Sequence, residues 1–422
     1  MKSVALTVLF TLLLAGAATG QTVTLHTQYG ASAANADRVM VSGLDGRWRE
    51  VAGVDGTYLV EPEGSRYSLA VTCFTDSGPH VTVYRFLVDE LPALRHVCRG
   101  RNDVLADVVR YEGVITPASG TTSGLHSAAV QLGSRPLHAG ALQGPTRFSA
   151  SVVAGQAADL LALYGPLGGA PTLGLLERQV HVTDVNSDWF DFTSPSALEL
   201  EHHLLSFTGT ERVTLNSYLV TCSGARAQVG AAVVAGTAEA RFAALPAAAR
   251  EECDRYELTA FATDAEGTAL RLTTAMLAEP ASRELTLPAP VGSPVIETVG
   301  AEPLRARLSW AAEPGVLYYL GGLTDGRITW SFVQSALLAP SITLPPWGAD
   351  LAAPEVRGGS FTWSFGAVRS EFDLEQVLHA YGQNSVTGHG EFWSPTEPGL
   401  EYQLHLHGGP WAPHATEPSG GR

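Results

Sequence analysis

The sequence predicts an all-β protein of tandem antiparallel β-sandwich modules, with one short helix in the C-terminal module. Short apolar runs alternate with polar residues at the two-residue period of half-buried strands. The 422 residues include 44 Gly and 25 Pro, which separate these runs. A seven-residue segment occurs almost twice, as YSLAVTC at 67–73 and as NSYLVTC at 216–222. A chain of this length is longer than one hydrophobic core usually organises, so several modules are expected.

Residues 1–20 predict a signal peptide for export. Lys2 precedes an apolar run over residues 4–15, and Ala18-Thr19-Gly20 provides the small residues of a cleavage site. The run is shorter than the about twenty residues of a membrane span. Gln21 is therefore the expected mature N-terminus, and a retained anchor is the alternative. The protein is expected to be soluble and periplasmic, on the cell surface or extracellular, with no membrane span after cleavage.

Charge excludes several classes of function. The formal net charge of −16 disfavours nucleic acid and anionic membranes as partners, since neither is attracted to an acidic surface. Lys2 is the only lysine and lies within the predicted signal peptide. Schiff-base chemistry, Ser-Lys dyads and a Walker lysine are thereby excluded from the mature chain.

Four cysteines in an exported chain predict two disulfides, for which three connectivities are possible. Each copy of the duplicated segment is followed by a spacer, a Leu-Pro pair and a second cysteine. The duplication therefore favours two local bridges, Cys73–Cys98 and Cys222–Cys253, each worth about 3–4 kcal/mol on the chain-entropy model. A zinc site is the alternative, and it lacks closely spaced Cys-x-x-Cys pairs.

The duplicated segments have the alternating pattern that predicts β-strands. Apolar residues alternate over 67–73 and again over 216–222, so both segment-ending cysteines are expected to point from a strand into a core. Pro92 and Pro246 cannot lie in a central ladder, and each is expected to begin a turn or a short helical turn. Two sheets joined across a core by a disulfide form a β-sandwich.

Residues 105–180 repeat the β pattern without cysteines. A strand with Phe148 enters a turn at Gly155 and leaves as an apolar strand around Leu161. This pattern resembles the carboxypeptidase-regulatory-like and other immunoglobulin-like modules of exported bacterial proteins, although the tyrosine often found after the glycine is missing. The resemblance implies a scaffolding or binding module and transfers no active site.

The predicted boundaries follow these patterns. Residues 21–104 and 181–254 form the two disulfide-bridged sandwiches, and 105–180 form the module between them. Residues 255–303 form a small β module with a Pro-rich linker, 304–412 a Trp-rich β domain, and 413–422 a disordered tail. The one predicted helix is DLEQVLHAYG, with Asp373 and Gln376 in a capping box and Gly382 as the C-cap.

Aromatic residues in the Trp-rich domain are the first candidate binding site. The motif TWSF occurs at 329–332 and at 362–365, and each copy places a Trp and a Phe on one strand face. Such residues either stack on sugar rings or fill the core, which is the commoner role of large aromatics. The candidates are Trp330, Phe332, Trp363, Phe365 and Trp393.

Two metal sites are also candidates. His405 and His407 share one strand face, so they could bind one metal or belong to a polar outer face. Asp184, Asn186 and Asp188 have the spacing that starts a calcium loop. Trp189 and Pro195 stand where an EF-hand needs Gly and Glu. A calcium-stiffened junction of another type and a solvated turn are the remaining interpretations.

No motif indicates catalysis. The sequence has no Gly-x-Ser-x-Gly, no His-Glu-x-x-His and no phosphate-binding Gly loop. The predicted function is a non-catalytic envelope or surface scaffold that contacts envelope proteins or polysaccharide and needs no cofactor. Glycan binding by residues 304–412 and a hydrolase with an unrecognised carboxylate pair are the alternatives.

Overall fold

The structure is a computed structural model, and it covers most of the chain downstream of the predicted signal peptide. Positions 1–20, 379–400 and 412–422 lie outside the described residues, and with them the predicted signal peptide, Gly382, Trp393 and the predicted tail. The residues described are 21–29, 32–43, 47–75, 78–98, 108–118, 126–133, 135–155, 157–183, 186–223, 225–265, 268–301, 304–326, 328–344, 361–378 and 401–411.

The described residues form four β-sandwich modules, which confirms the predicted all-β class. We name them module 1 (residues 23–98), module 2 (108–199), module 3 (201–285) and module 4 (295–411). Each module has two groups of paired strands that enclose a core. In the described part of the chain, no helix is long and apolar enough to cross a membrane.

Modules 1 and 2 contain sixteen of the strands. Module 1 consists of β1 (Val23–Tyr29), β2 (Ser32–Ala33), β3 (Arg38–Ser42), β4 (Trp48–Glu50), β5 (Thr57–Val60), β6 (Arg66–Thr75), β7 (Gly78–Leu87) and β8 (Ala93–Cys98). Module 2 consists of β9 (Val108–Thr116), β10 (His126–Leu132), β11 (Arg135–Leu142), β12 (Thr146–Val153), β13 (Ala157–Pro166), β14 (Leu173–His181), β15 (Asn186–Asp191) and β16 (Leu198–Glu199).

Modules 3 and 4 contain the other described strands. Module 3 consists of β17 (Glu201–Phe207), β18 (Arg212–Val220), β19 (Arg226–Ala235), β20 (Ala238–Ala244), β21 (Arg255–Thr263), β22 (Ala269–Leu277) and β23 (Arg283–Leu285). Module 4 consists of β24 (Val295–Ala301), β25 (Leu304–Ser309), β26 (Tyr318–Thr324), β27 (Thr329–Ser335), β28 (Ser341–Thr343), β29 (Phe361–Arg369) and β30 (Glu401–Trp411). The predicted helix is present over 374–378, where the Gln376 N–H donates to Asp373 Oδ1 at 2.9 Å.

Strand pairing defines the limits of modules 1 to 3. In each of them the first strand runs parallel to a late strand, as β1 with β8, β9 with β15 and β17 with β23. The described pairs differ from the predicted boundaries, because β21 and β22 share a sheet with β18 and belong to module 3. Residues 255–303 are therefore not a separate module, and module 2 extends beyond residue 180.

Modules 1, 3 and 4 share one continuous sheet of twelve strands, in the order β19-β18-β21-β22-β30-β29-β26-β27-β7-β6-β3-β4. Strand β22 pairs antiparallel with β30, which joins module 3 to module 4. Strand β27 pairs parallel with β7, which joins module 4 back to module 1. Module 4 therefore lies between two modules that precede it in the chain.

The module 4 part of this sheet is covered on both faces. Trp330, Phe332 and Phe365 pack toward β25 and β28 on one face. Tyr318 and Val368 join the module 1 core on the other face. Because both faces of the sheet are buried, the residues of β26 are almost all apolar or glycine and do not alternate with polar residues.

The disulfides join the cysteine pairs that the duplicated spacing predicts. Cys73 is bonded to Cys98 and links β6 to β8 across the module 1 core, with both residues buried. Cys222 is bonded to Cys253, but these two residues lie in turns next to Val220 and Arg255, which are paired neighbours in β18 and β21. The expectation that Cys222 points into a core from a strand is wrong, since Cys222 lies in a turn and is half-buried.

The proline expectation holds in module 3. Pro246 begins a short 3-10 helix, Ala247–Ala249, that leads toward Cys253. In module 1, the Pro92 carbonyl accepts a hydrogen bond from the Thr24 N–H at 2.9 Å and starts the β1–β8 pairing. Proline thus lies at the end of a ladder in both copies and not within one.

Candidate functional site

A cavity of about 550 Å³ lies where module 1 meets module 4. Strands β7 and β8 provide its module 1 side, and β26, β27, β29 and the helix at 374–378 provide its module 4 side. Its volume falls within the about 300–1,000 Å³ of small-molecule sites, which often lie between domains. The seam between the two modules is therefore the candidate functional site.

The seam is held by backbone and side-chain bonds. The parallel ladder runs from Thr329 opposite His80 to Gln334 opposite Arg85. The Arg85 guanidinium donates from module 1 to Gln334 Oε1 at 3.0 Å and to the Ser341 carbonyl oxygen at 2.7 Å. These bonds fix the positions of the side chains that line the cavity.

Polar groups of β7 and β8 form one wall. Tyr84 Oη lies 2.7 Å from His96 Nδ1, and His96 Nε2 lies 3.1 Å from Cys73 Sγ. A disulfide sulfur carries no proton, so we assign the proton to Nε2 and the acceptor role to Nδ1. Burial, together with the nearby His80, lowers the pKa of His96 to about 3. The ring is therefore neutral at physiological pH.

A second polar pair crosses the seam. His80 Nε2 lies 2.7 Å from Ser331 Oγ, and both residues line the cavity. A histidine beside a serine hydroxyl is the minimal arrangement for activating a nucleophile. However, β27 is paired on both sides, with β26 and with β7, so its backbone N–H groups are used in the ladders. The strand therefore provides no backbone oxyanion hole next to Ser331.

The charged residues of the lining are Arg95 and Glu375. Two guanidinium nitrogens of Arg95 lie within hydrogen-bonding distance of Gln28 Oε1, at 3.1 and 2.5 Å, and Glu375 is exposed on the helix. One positive and one negative group give this lining no net formal charge. The formal charges of the lining therefore provide no excess of either sign for an ionic ligand.

No sequence motif indicated this site. His80 and Tyr84 occur in a mostly apolar strand, and Ser331 lies 251 residues from His80 in the chain. One local signal was present, because His96 stands two residues before Cys98 and must share its strand face. That spacing alone places an imidazole near the disulfide.

The aromatic candidates are buried in the core. Trp330, Phe332 and Phe365 are 3%, 1% and 1% exposed, and Trp363 is half-buried with its ring 5.2 Å from the His407 ring. Trp393 lies outside the described residues. Together, the described members form no exposed platform, because β25 and β28 cover their face of the sheet.

The paired histidines lie on a covered face. His405 is 4% exposed, and its Nδ1 accepts a hydrogen bond from the Val291 N–H at 3.1 Å. Its ring lies 5.0 Å from that of His407. Among the described residues, no group of three metal-ligating side chains includes either histidine. The interpretation that His405 and His407 belong to a polar outer face is therefore wrong for His405, because the segment around Val291 covers this face of β30.

The acidic candidates at the end of module 2 lie on its edge strand. Asp184 is outside the described residues, and only the backbone of Asn186 is described. Asp188 accepts a hydrogen bond from the Tyr111 hydroxyl. The next residue, Trp189, is 72% exposed, and its Nε1 donates to Thr116 Oγ1. Asp188 thus holds β15 to β9 and has a structural partner.

The contact between modules 2 and 3 combines apolar packing, in which Leu161 and Leu163 join the module 3 core, with a buried ion-pair cluster. Arg178 on β14 contacts Asp159 at 2.9 Å and Asp254 at 2.6 Å. The two carboxylates are 0% and 1% exposed. Asp254 also accepts from the backbone N–H of Cys222, which ties the cluster to the second disulfide. No sequence spacing indicated this cluster.

Comparisons with known proteins do not assign the chain to a family. No family model matches the chain, and no curated protein matches it. Among solved structures, it is similar to the Bacillus anthracis TIE protein at 11% identity, with 63% of this chain and 50% of that chain covered and a TM-score of 0.15.

Two further solved structures show the same level of likeness. A streptococcal ancillary pilin is 8% identical over 63% of this chain and 98% of its own, with a TM-score of 0.14. The chicken CNTN1 FN1–FN3 domains are 10% identical over 80% and 87%, with a TM-score of 0.16. The chain spans about half the length of the TIE protein. At these TM-scores, the likenesses do not bear on function.

Proposed function

We propose that this protein is an exported, non-catalytic scaffold whose modules form one rigid body and act by binding. The observation that carries the proposal is the twelve-stranded sheet shared by modules 1, 3 and 4. Tandem modules that touch only through linkers move independently by default. Here, ladder hydrogen bonds cross both module borders, so surfaces on different modules are held at fixed separations.

The two disulfides support export. Such bonds form and persist in oxidising compartments, and they constrain the unfolded chain. Module 1 and module 3 each carry one. Both flank module borders, where added stability maintains the rigid arrangement outside the cell.

Two features support a role without catalysis. The His80–Ser331 pair lies in the middle of a sheet whose backbone donors are already used. The paired histidines and the TWSF aromatics, which could have served a metal or a sugar, are largely buried by neighbouring strands. Binding by a rigid framework with a cavity at its seam requires none of this chemistry.

The test combines calorimetry with an activity assay on the purified mature protein. We expect modules 1, 3 and 4 to unfold in one cooperative transition, because they share a sheet. We also expect no hydrolysis of p-nitrophenyl acetate or butyrate above the buffer rate. Separate transitions for modules 1 and 4, or ester hydrolysis that is lost in Ser331→Ala, would contradict the proposal.

A further inference from the structure

We infer that the seam cavity binds one neutral, amphipathic small molecule, with an apolar body and a hydroxyl or amide end. The inference deepens the proposed binding function and rests on it. The cavity of about 550 Å³ is framed by β7 and β8 of module 1 and by β26, β27, β29 and the helix of module 4. A volume of this size accommodates a ligand of one to three rings.

The apolar body of the ligand is recognised by side chains from both modules. Leu91 and Leu94 come from module 1, and Leu320, Val333 and Leu406 come from module 4. Burying an apolar ligand surface against them is favourable by about 25 cal/mol per Å². These residues provide affinity without selecting a particular hydrogen-bonding pattern.

The polar end is recognised by β7 and its neighbour. His80, Thr82 and Tyr84 alternate along one face of β7, and Ser331 lies opposite Thr82 in the ladder. A Tyr oxygen that donates its proton to a histidine still has acceptor lone pairs, and a serine hydroxyl both donates and accepts. A hydroxyl or amide on the ligand pairs with the remaining lone pairs of Tyr84 and Ser331, whereas a purely apolar ligand does not.

Charge selects a neutral ligand. The wall histidine His96 is neutral, and Arg95 and Glu375 cancel each other in formal charge. An ionic ligand would lose its hydration on entering and would find no net opposite charge. The same burial that lowers the pKa of His96 penalises a charge on the ligand.

The ligand also bridges the two modules. Because it contacts both sides of the seam, it binds only when the β7–β27 ladder is formed. Ligand binding therefore stabilises the joined arrangement by mass action. The cavity therefore exists only where modules 1 and 4 are joined, and it is not a site on the surface of one module.

The experiment is a fluorescence titration with N-phenyl-1-naphthylamine, a neutral probe of suitable size, at pH 7. We expect saturable binding of one probe per chain. Competition then uses 1-naphthol, 1-naphthoate and 1-naphthylmethylammonium, which share a ring and differ in charge. The neutral naphthol is expected to displace the probe at concentrations at least about tenfold lower than either ion.

Variants locate the bound probe. Ser364 lines the cavity, so Ser364→Phe is expected to weaken probe binding at least about tenfold. Leu337→Phe is the matched control, since Leu337 is 73% exposed and does not line the cavity. If Ser364→Phe does not fold, Leu378→Trp at the helix fills the same space.

Three results would overturn the inference: no saturable binding to the wild-type protein, equal displacement by all three naphthalenes, or full binding by the folded cavity-filling variant. None of them affects the calorimetric transition. Ser331-dependent ester hydrolysis, in contrast, would overturn the proposed function while leaving probe binding intact. The two failures are therefore distinguishable.

Discussion

Arg178 shows how one side chain can hold two modules together. It neutralises Asp159 of module 2 and Asp254 of module 3, and both carboxylates are almost fully buried. Burial by itself raises the pKa of Asp159. Hydrogen bonds from the Gln179 backbone and from Arg178 outweigh that effect and hold the pKa below its usual value. The cluster is stable only while all three charges are present.

Replacing Arg178 by Met is expected to destabilise the protein by about 3–5 kcal/mol, because two buried carboxylates lose their counter-charge. Chemical denaturation at pH 7 measures the change. Arg110→Met is the control, since the Arg110–Glu112 pair is exposed and a loss below about 1 kcal/mol is expected. Equal losses for the two variants would contradict the role of Arg178.

His96 makes stability depend on pH. Its pKa is lowered from 6.5 to about 3 by burial and by His80, so the unfolded chain binds a proton that the folded protein excludes. The contribution is present above pH 6.5 and is lost as the pH falls from 6.5 toward 3. The loss approaches about 1.4 kcal/mol per pH unit in this window.

Urea unfolding between pH 7.5 and pH 4 tests this dependence. His96→Gln is expected to flatten the decline, while His405, whose pKa burial lowers to about 4, continues to contribute in both proteins. Identical slopes for the wild type and His96→Gln would show that His96 does not titrate differently in the folded state.

At the scale of elements, the two disulfides are not equivalent. Cys73–Cys98 joins two sheets through a core, whereas Cys222–Cys253 closes two turns at the ends of adjacent strands. Their sequence separations of 25 and 31 are similar, so the chain-entropy contribution is about 3.5 kcal/mol for each. The difference between them lies in access for a reductant.

Under native conditions, dithiothreitol is expected to reduce Cys222–Cys253 at least about tenfold faster than Cys73–Cys98, because thiol exchange requires access to sulfur. Timed alkylation with peptide mapping measures both rates. After denaturation in guanidinium chloride, the two bridges are expected to react at similar rates, which serves as the control. Faster reduction of Cys73–Cys98 in the native protein would contradict the burial assigned to it.

At the scale of the whole molecule, the seam closes the chain on itself. Modules 1 and 4 are far apart in sequence, yet their edge strands pair and their cores merge around Tyr318 and Val368. Arg85 crosses the seam to Gln334 and to the Ser341 carbonyl oxygen. Without this closure, two sheet edges would be left unpaired in solvent.

Arg85→Met is expected to weaken the seam by about 1–3 kcal/mol, because the buried Gln334 side chain and the carbonyl oxygen of the half-buried Ser341 lose their donor. Calorimetry is expected to show a broadened or divided transition in place of a single one. Arg49→Met is the control, since this exposed arginine bonds to Glu61 within module 1. A single, unshifted transition for Arg85→Met would contradict the closure.

Much of the fold could be predicted because it is encoded by local pattern. Alternation identified the strand at 67–73, the repeated cysteine spacing identified the bridges, and Asp373 with Gln376 identified the helix start. The prediction failed for Cys222, because Val213, Leu215, Ser217 and Leu219 are the alternating buried residues of β18, and the strand ends at Val220 before the cysteine. Ser217 is polar yet buried, so the alternation of apolar letters indicated the opposite face of the strand.

The sequence by itself determined the all-β class, the cysteine pairing and the acidic, almost lysine-free surface. Only the tertiary structure decided which sheet edges meet, and hence that His80 faces Ser331 in a cavity and that the TWSF aromatics are buried. The physical reason is that edge pairing uses backbone N–H and C=O groups, which are the same in almost every residue. The choice of partner edge depends on the packing of whole modules, and no short motif carries it.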